Sequence, residues 1–175
     1  MPASENITVG DLIRIAPPPE LLIGRVGWER WNRIESDLGT ILPRDYKLIM
    51  TSYGVGYFND LFWLSDPGSM LGEDSPAEIY EEFRDSSPEE CPFSTFPGPG
   101  SLLSLGGTTN GGYAFWLTEG LPDEWPLIFY DHGFYMSEKY SMRLVEFLVR
   151  WLSGEMPGCF FGAGECFKTD PIFQN

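Results

Sequence analysis

Few residues in this sequence could do acid–base chemistry. The only histidine, His132, follows Asp131 at the end of a predicted strand. A histidine beside a carboxylate can act as a general base, but a lone histidine in a turn usually has no catalytic role. We therefore expect no catalytic residue and predict that the protein is not an enzyme.

Two other stretches have the composition of a phosphate-binding or calcium-binding loop, but their residues do not follow the pattern of either. Residues 106–112 read Gly-Gly-Thr-Thr-Asn-Gly-Gly, but they lack the Lys-Ser or Lys-Thr of a P-loop and lead into a strand, which favours a hairpin turn. The acids Glu73, Asp74, Glu89 and Glu90 do not follow the alternation and central glycine of a calcium loop. We expect no metal, no cofactor and no small-molecule partner.

The cysteines are Cys91, Cys159 and Cys166, and their spacing matches no zinc-binding pattern. Their number is odd, so they cannot all pair within one chain. We expect reduced structural or surface thiols, with a Cys159–Cys166 disulfide as the alternative in an oxidising compartment.

Charge is the bulk property that says most about partners. The chain has 26 acidic and 11 basic residues, a net charge of −15. Residues 66–90 contain 9 acids and 1 base, so this one stretch accounts for a charge of −8. Such a surface repels nucleic-acid phosphates and attracts basic proteins through long-range steering. The alternative is a solvated acidic loop that only aids solubility.

Length and composition predict one domain with a sizeable core, because the chain has 175 residues and 42% of them are hydrophobic. No apolar run approaches the roughly 18 residues of a membrane span, and the first residues lack the pattern of a signal peptide, so we expect a cytoplasmic protein without membrane contact. We expect residues 1–23 to form an arm with a proline-rich connection, residues 24–154 the domain, and residues 155–175 a tail packed on it. The three prolines of the arm favour a stiff spacer, and a ligand for a partner's aromatic groove is the alternative.

Two helices between Trp28 and Gly56 are the most clearly marked elements. Apolar residues recur at helical spacing from Trp28 to Leu38, and Gly39 follows where a left-handed C-terminal residue is wanted. Pro43 suits the first turn of a second helix, where the Asp45 carboxylate would face the positive end of the helix dipole. The apolar stripe of this second helix consists of Tyr46, Ile49, Met50 and Tyr53, and it ends at Gly54-Val55-Gly56.

These helices resemble a known family. Trp31-Asn32-Arg33-Ile34-Glu35, Leu42-Pro43-Arg44-Asp45-Tyr46 and Tyr53-Gly54-Val55-Gly56 are similar to the Trp-x-x-Ile-Glu, Leu-Pro-x-Asp-Tyr and Tyr-Gly-x-Gly signature of the SMI1/KNR4 (SUKH) superfamily. The resemblance extends to the hairpin near residue 112 and to the last predicted helix, so it covers most of residues 24–154. The scaffold positions that it marks are Trp31, Glu35, Leu42, Pro43, Asp45, Tyr46, Gly54 and Gly56.

For a bacterial member, the resemblance implies an immunity protein that binds and neutralises a toxin, often a nuclease, of a polymorphic or contact-dependent toxin system. The fungal members imply the alternative, a regulatory scaffold that binds several signalling partners. A nuclease domain is typically basic because it must hold phosphate, so an acidic inhibitor would be steered onto it.

The rest of the chain predicts an α+β domain. Strand patterns occur at residues 57–64, 101–105, 113–117 and 125–131, and a helical pattern covers Glu138 to Ser153 with Ser137 as its N-cap. We therefore expect an antiparallel, twisted sheet of about four strands packed against N-terminal and C-terminal helices.

The acidic stretch contains a further predicted helix, which supplies the candidate binding residues. Ser75, Pro76 and Glu78 form a capping-box pattern, so a helix should run from Pro76 to about Arg84. It should bury Ile79 and Phe83 at i, i+4 spacing. The acids expected in solvent, and predicted to contact a basic partner, are Glu78, Glu81, Glu82 and Asp85.

Large aromatic residues are expected in the core. The tryptophans assigned to core faces are Trp31, Trp63, Trp116 and Trp151, whereas Trp28 is left unassigned. Glu35 should lie beside Trp31, so its carboxylate must be solvated, paired or hydrogen-bonded. A surface position is the simplest interpretation, and the family resemblance suggests a structural role.

Overall fold

The structure, a computed structural model, describes residues 6–21, 23–156 and 173–174. The α-helices of these segments are α1 (Val9–Ile15), α2 (Trp28–Leu38), α3 (Arg44–Tyr53), α4 (Pro76–Ser86) and α5 (Leu144–Leu152). The strands are β1 (Tyr57–Phe58), β2 (Phe62–Leu64), β3 (Leu102–Thr108), β4 (Tyr113–Leu117), β5 (Leu127–Tyr130), β6 (Ser137–Tyr140) and β7 (Phe173–Gln174). A 3₁₀ turn, Pro122–Glu124, precedes β5.

The strands form one antiparallel sheet in the order β6-β5-β4-β3-β2-β1-β7. This confirms the predicted α+β class, but the described part of the sheet has seven strands where about four were predicted. The added strands contain two to four residues, which is too short for a readable alternation.

One face of the sheet packs against α1, α2, α3 and α5. The almost fully buried strand residues on this face include Leu103, Leu105, Ala114, Trp116, Leu127 and Phe129. The predicted stripe of α3 is confirmed, because all four of its residues are buried in the same cluster. Gly39 ends α2 in the left-handed conformation, with a φ of 72°, as predicted.

The opposite face of the sheet packs against α4 and the irregular segment that follows it. The residues of this second cluster include Tyr80, Cys91, Leu102, Phe115, Leu117, Ile128 and Tyr130. Adjacent strand residues therefore point into two different clusters. The central strands are buried on both faces, which explains why every residue of β3 is buried.

Residues 57–64 form a hairpin and not the single strand that was predicted. Phe58 and Leu61 flank a turn in which the Leu61 N–H donates to the Phe58 carbonyl at 3.1 Å. Asn59 and Asp60 have φ angles of 51° and 56°, a conformation that these two residue types tolerate better than most. The strand-forming aromatic residues on each side masked this turn signal.

The helix predicted from Glu138 begins later, at Leu144. Residues Ser137–Tyr140 instead pair with β5 in an antiparallel register, and Ser137 lies in β6. Arg143 is the N-cap of α5. The prediction was wrong because Tyr140, which is buried, fits both the helical spacing and the inward position of the strand.

Strand β3 runs through Gly106 and Gly107, where a turn was predicted. A Cβ at Gly106 would lie 2.0 Å from the Trp63 carbonyl oxygen, and a Cβ at Gly107 would lie 2.7 Å from the Trp63 ring. The glycines thus allow β2 to approach β3 closely. Trp63 covers Gly107 and is only partly buried, so it is not a core residue, unlike Trp31, Trp116 and Trp151.

We expect Trp31→Ala and Leu42→Ala each to lower the free energy of unfolding by about 2–5 kcal/mol, because both side chains are fully buried and their loss leaves a cavity. Trp28→Ala is the matched control, since Trp28 lies on the same helix with 74% of its surface exposed; it should change stability by about 0.5 kcal/mol or less. Urea unfolding measures all three. Wild-type stability of either buried variant would contradict the core assignment.

Candidate protein-binding surfaces

Helix α4 carries the predicted binding residues. It begins after Ser75, whose hydroxyl accepts a hydrogen bond from the Glu78 N–H at 3.3 Å, as the capping pattern predicted. The buried positions of α4 are Pro76, Ala77 and Tyr80, whereas Ile79 and Phe83, which were predicted to be buried, are only partly so.

Two contacts to neighbouring segments explain this orientation of α4. The Ala77 N–H donates to the Ser104 hydroxyl at 2.9 Å, which ties the first turn of the helix to β3. The Tyr80 hydroxyl donates to the Phe93 carbonyl and accepts from the Phe93 N–H, at 3.3 and 3.2 Å. The side of α4 that bears these contacts faces the sheet, so the opposite side is left to solvent.

The four predicted acids differ in their surroundings. Glu78, Glu82 and Asp85 are exposed, and they are called the acidic surface below; the Glu78 carboxylate also accepts a hydrogen bond from the Asp74 N–H at 2.6 Å. Glu81 was expected in solvent, but its carboxylate accepts hydrogen bonds from Arg84 at 2.6 Å and from the Thr95 hydroxyl at 2.7 Å. Glu81 therefore ties α4 to the following segment, which leaves three acids with outward-facing charge.

A second feature lies beside α4, in the turn between β5 and β6. Tyr135 and Met136 of this turn expose 69% and 66% of their surfaces, and they are called the β5–β6 patch below. The Tyr135 ring meets the Phe83 ring of α4 at a centroid distance of 5.8 Å. The patch and α4 thus form one continuous surface on the same face of the sheet.

An apolar groove lies at the other helical layer, between α2, α3 and the 3₁₀ turn. Its volume is about 710 Å³. The exposed large side chains that line it are Trp28, Ile41, Leu48 and Leu121, with the buried Leu42 also in its lining. Its charged lining residues are Arg44, Lys47, Asp123 and Glu124. Clustered exposed apolar side chains of this kind often mark a contact with another protein.

The scaffold residue Glu35 connects α2 to the start of α3. Its carboxylate accepts hydrogen bonds from the Leu42 N–H at 2.9 Å and from the Lys47 ammonium at 2.6 Å. The Glu35 and Lys47 side chains are largely buried, with 16% and 14% of their surfaces exposed. Of the alternatives open for Glu35, the structure shows the paired and hydrogen-bonded one.

Asp45 also has a partner far along the chain. Its carboxylate accepts from the Tyr46 N–H at 2.8 Å and from the Val145 N–H at 2.9 Å, so it caps the N-terminus of α5. Burial raises the pKa of the Asp45 carboxyl, although both hydrogen bonds oppose this shift. Pro43, which was predicted to lie in the first turn of α3, is its N-cap and directly precedes that turn.

Gly54 is required where α3 meets the N-terminal segment. Its φ is 72°, and a Cβ there would lie 2.1 Å from the Ile23 carbonyl oxygen. The preceding Tyr53 donates its hydroxyl proton to the Ala16 carbonyl at 2.7 Å. Gly56 is buried at the end of the same motif. The Tyr-Gly-x-Gly residues therefore hold the segment before α2 against the domain.

The residues considered for catalysis and metal binding are dispersed. His132 is exposed in the turn between β5 and β6. In the described segments, no three His, Cys, Asp or Glu residues come together as a metal site. Cys91 is a buried free thiol, and burial raises its pKa, while Cys159 and Cys166 lie outside the described residues. No described helix is long and apolar enough to cross a bilayer.

Sequence reasoning missed the β5–β6 patch and the apolar groove. The patch residues follow Gly133, which predicted a turn, but exposure of the apolar residues after it was not inferred. The available signal was the run Phe-Tyr-Met that follows Asp131 and Gly133, because large apolar residues are unusual in a turn. The groove combines three separate segments, so no local pattern predicted it.

Comparison with known families gives one match. The family model SUKH_6, described as SMI1-KNR4 cell-wall, matches residues 29–148, which is more than half of the chain. No curated protein matches the sequence.

We expect Glu35→Ala to lower the free energy of unfolding by about 2 kcal/mol, because it leaves the Leu42 N–H and the largely buried Lys47 without their acceptor. Glu35→Gln should cost less, since it keeps an oxygen that can accept from Leu42. Asp37→Ala on the same helix is the control, because Asp37 is exposed. Thermal and urea unfolding measure the series, and equal stability of Glu35→Ala and wild type would refute the role of Glu35.

Proposed function

Because the chain belongs to the SMI1-KNR4 (SUKH) family, we propose that it is a non-catalytic binding protein, and specifically an immunity protein that neutralises a bacterial toxin domain. The toxin would be a basic domain, with a nuclease as the leading candidate. The complex would form in the cytoplasm, where a nuclease finds its substrate.

The observation that carries this proposal is the acidic surface of α4. Its three acids face solvent, and Arg84, the one cation of the helix, is bound to Glu81. The local field is therefore negative and not neutralised by the helix itself. Such a surface draws a basic domain toward it and repels nucleic acid, which supports inhibition of a nuclease by occlusion of its phosphate-binding surface.

The second candidate function is a regulatory scaffold of the kind implied by the fungal members. The apolar groove favours it, because the groove and the acidic surface lie on opposite helical layers of the sheet. Two separated surfaces of different chemistry could hold two partners at once. Binding of a second protein in the presence of the first would distinguish a scaffold from an inhibitor.

The proposed function predicts protection of cells from a toxin encoded beside this gene. Expression of that toxin domain alone should stop growth, and co-expression of the present chain should restore it. A charge-matched, unrelated acidic protein is the control for non-specific protection. If growth stays arrested although the present chain accumulates in folded form, the immunity function is refuted.

The acidic surface predicts a salt-dependent association rate. Glu78→Gln, Glu82→Gln and Asp85→Asn together should leave stability nearly unchanged, because the side chains are exposed and the amide oxygen introduced by Glu78→Gln can still accept from the Asp74 N–H. Association with the catalytically inactivated toxin domain should slow about fivefold at low ionic strength. The difference should shrink at 1 M salt, where the Debye length is roughly 3 Å.

The matched control removes the same charge from exposed acids elsewhere, with Glu20→Gln, Glu29→Gln and Asp37→Asn. Association rates from stopped-flow fluorescence are compared for both triple variants. If the two variants slow association equally, steering depends on net charge alone and not on the surface of α4.

A further inference from the structure

We infer that the β5–β6 patch, Tyr135 and Met136, is the apolar anchor of the interface with the basic protein partner, and that it lies next to the acidic surface that steers this partner. The inference rests on the proposed function, because its partner is the toxin domain named there. In this inference, Tyr135 and Met136 supply most of the binding free energy, because exposed acids alone contribute little to affinity.

Exposure of the patch is the first observation. Tyr135 and Met136 are consecutive, and each has about two-thirds of its surface in solvent. Tyrosine and methionine are enriched at protein interfaces, where tyrosine is also a frequent centre of binding energy. A hairpin connection usually consists of small or polar residues, and the contact of the Tyr135 ring with Phe83 leaves most of both side chains in solvent, so core packing does not account for them.

The second observation is that a buried side chain and backbone hydrogen bonds fix the conformation of the turn. Phe134 precedes the patch and is buried, and its ring stacks on the Tyr113 ring at 4.8 Å with an interplanar angle of 3°. The Asp131 carboxylate accepts from the Met136 N–H at 2.9 Å, and the Phe134 N–H donates to the Asp131 carbonyl at 3.1 Å. An anchored turn presents its exposed side chains at little entropic cost on binding.

Backbone conformation at Phe134 agrees with this arrangement. Its φ is 57°, a region that bulky residues seldom adopt. The unusual conformation places the Phe134 ring in the core and leaves the next two side chains in solvent. The surrounding contacts of the Phe134 ring, with Tyr80, Phe83 and Tyr130, compensate for the strain.

Charge around the patch selects the chemistry of the partner. The neighbouring acids are Glu82 and Asp85 on α4, which flank the Phe83 ring that meets Tyr135, and Asp131 at the base of the turn. The neighbouring cations are already bound to acids, Arg84 to Glu81 at 2.6 Å and Lys139 to Glu119 at 3.4 Å. The patch is therefore an apolar centre with a net negative rim, which complements a basic surface bearing exposed arginine or lysine.

The apolar groove lacks such a selective rim. Lys47 is bound to Glu35, and Asp123 accepts from the Arg44 N–H at 2.6 Å. Arg44 therefore offsets one of the two acids Asp123 and Glu124, because a hydrogen bond from a backbone N–H does not cancel the charge of Asp123. In the described part of the chain, the groove rim thus mixes an unpaired cation with its acids, unlike the rim of the patch, so the groove serves as the comparison surface in the test.

The test uses the catalytically inactivated toxin domain encoded beside the gene as its probe. Tyr135→Ser with Met136→Ser should raise the dissociation rate about thirtyfold and leave its dependence on salt unchanged, because anchor residues act on dissociation. Trp28→Ser with Ile41→Ser, in the groove, should dissociate like the wild type. Hydroxyl-radical footprinting of the unmodified complex should show protection of Met136.

The outcomes separate the two proposals. A wild-type dissociation rate for the patch variant, or a faster one for the groove variant only, would overturn the patch assignment while the immunity function stands. Equal oxidation of Met136 in the free and bound protein would overturn the patch assignment as well. Absence of any binding between the wild-type chain and the toxin domain would overturn the immunity function, and the patch assignment with it.

Discussion

The hydrogen bond from the Val145 N–H to the Asp45 carboxylate is the contact on which the arrangement of the helices depends. It fixes the start of α5 to the start of α3, although the two residues lie 100 positions apart. The adjacent Tyr46 extends this junction, because its ring contacts Trp31 and Trp116 and its hydroxyl donates to the Ser65 carbonyl at 2.7 Å. Asp45 and Tyr46 thus connect α2 and α5, the first and last helices of the region that matches the family model, to α3 and the sheet.

Features that depend on local sequence were predictable, and features that depend on distant partners were not. Gly39 and Ser75 mark helix ends through contacts within a few residues, and both predictions were confirmed. Residues 137–140 were mistaken for helix because pairing with β5 decides their conformation. The local pattern placed Asp45 in the first turn of α3, but it could not indicate that Asp45 caps α5. Propensity is overruled wherever a tertiary contact supplies more free energy.

The same distinction applies to the candidate surfaces. The acids of α4 were predictable from charge and helical spacing. The hydrogen bond that Thr95 donates to Glu81 was not predictable, because Thr95 lies in an irregular segment. Phe134 and Tyr135 are adjacent and similar in size, yet one is buried and the other exposed. The backbone conformation of one turn decides this difference, and the sequence does not specify that conformation by any common turn pattern.

The attachment of α4 has a consequence for how the chemistry of its exposed side can change over generations. Its inner side is held by Ala77 and Tyr80 through contacts to Ser104 and Phe93, and its outer side bears acids that contribute little to the core. Mutations on the outer side can therefore accumulate at small cost in folding free energy. A lineage can alter the charges that α4 displays while the scaffold mutates slowly, so this surface and the fold evolve at separate rates.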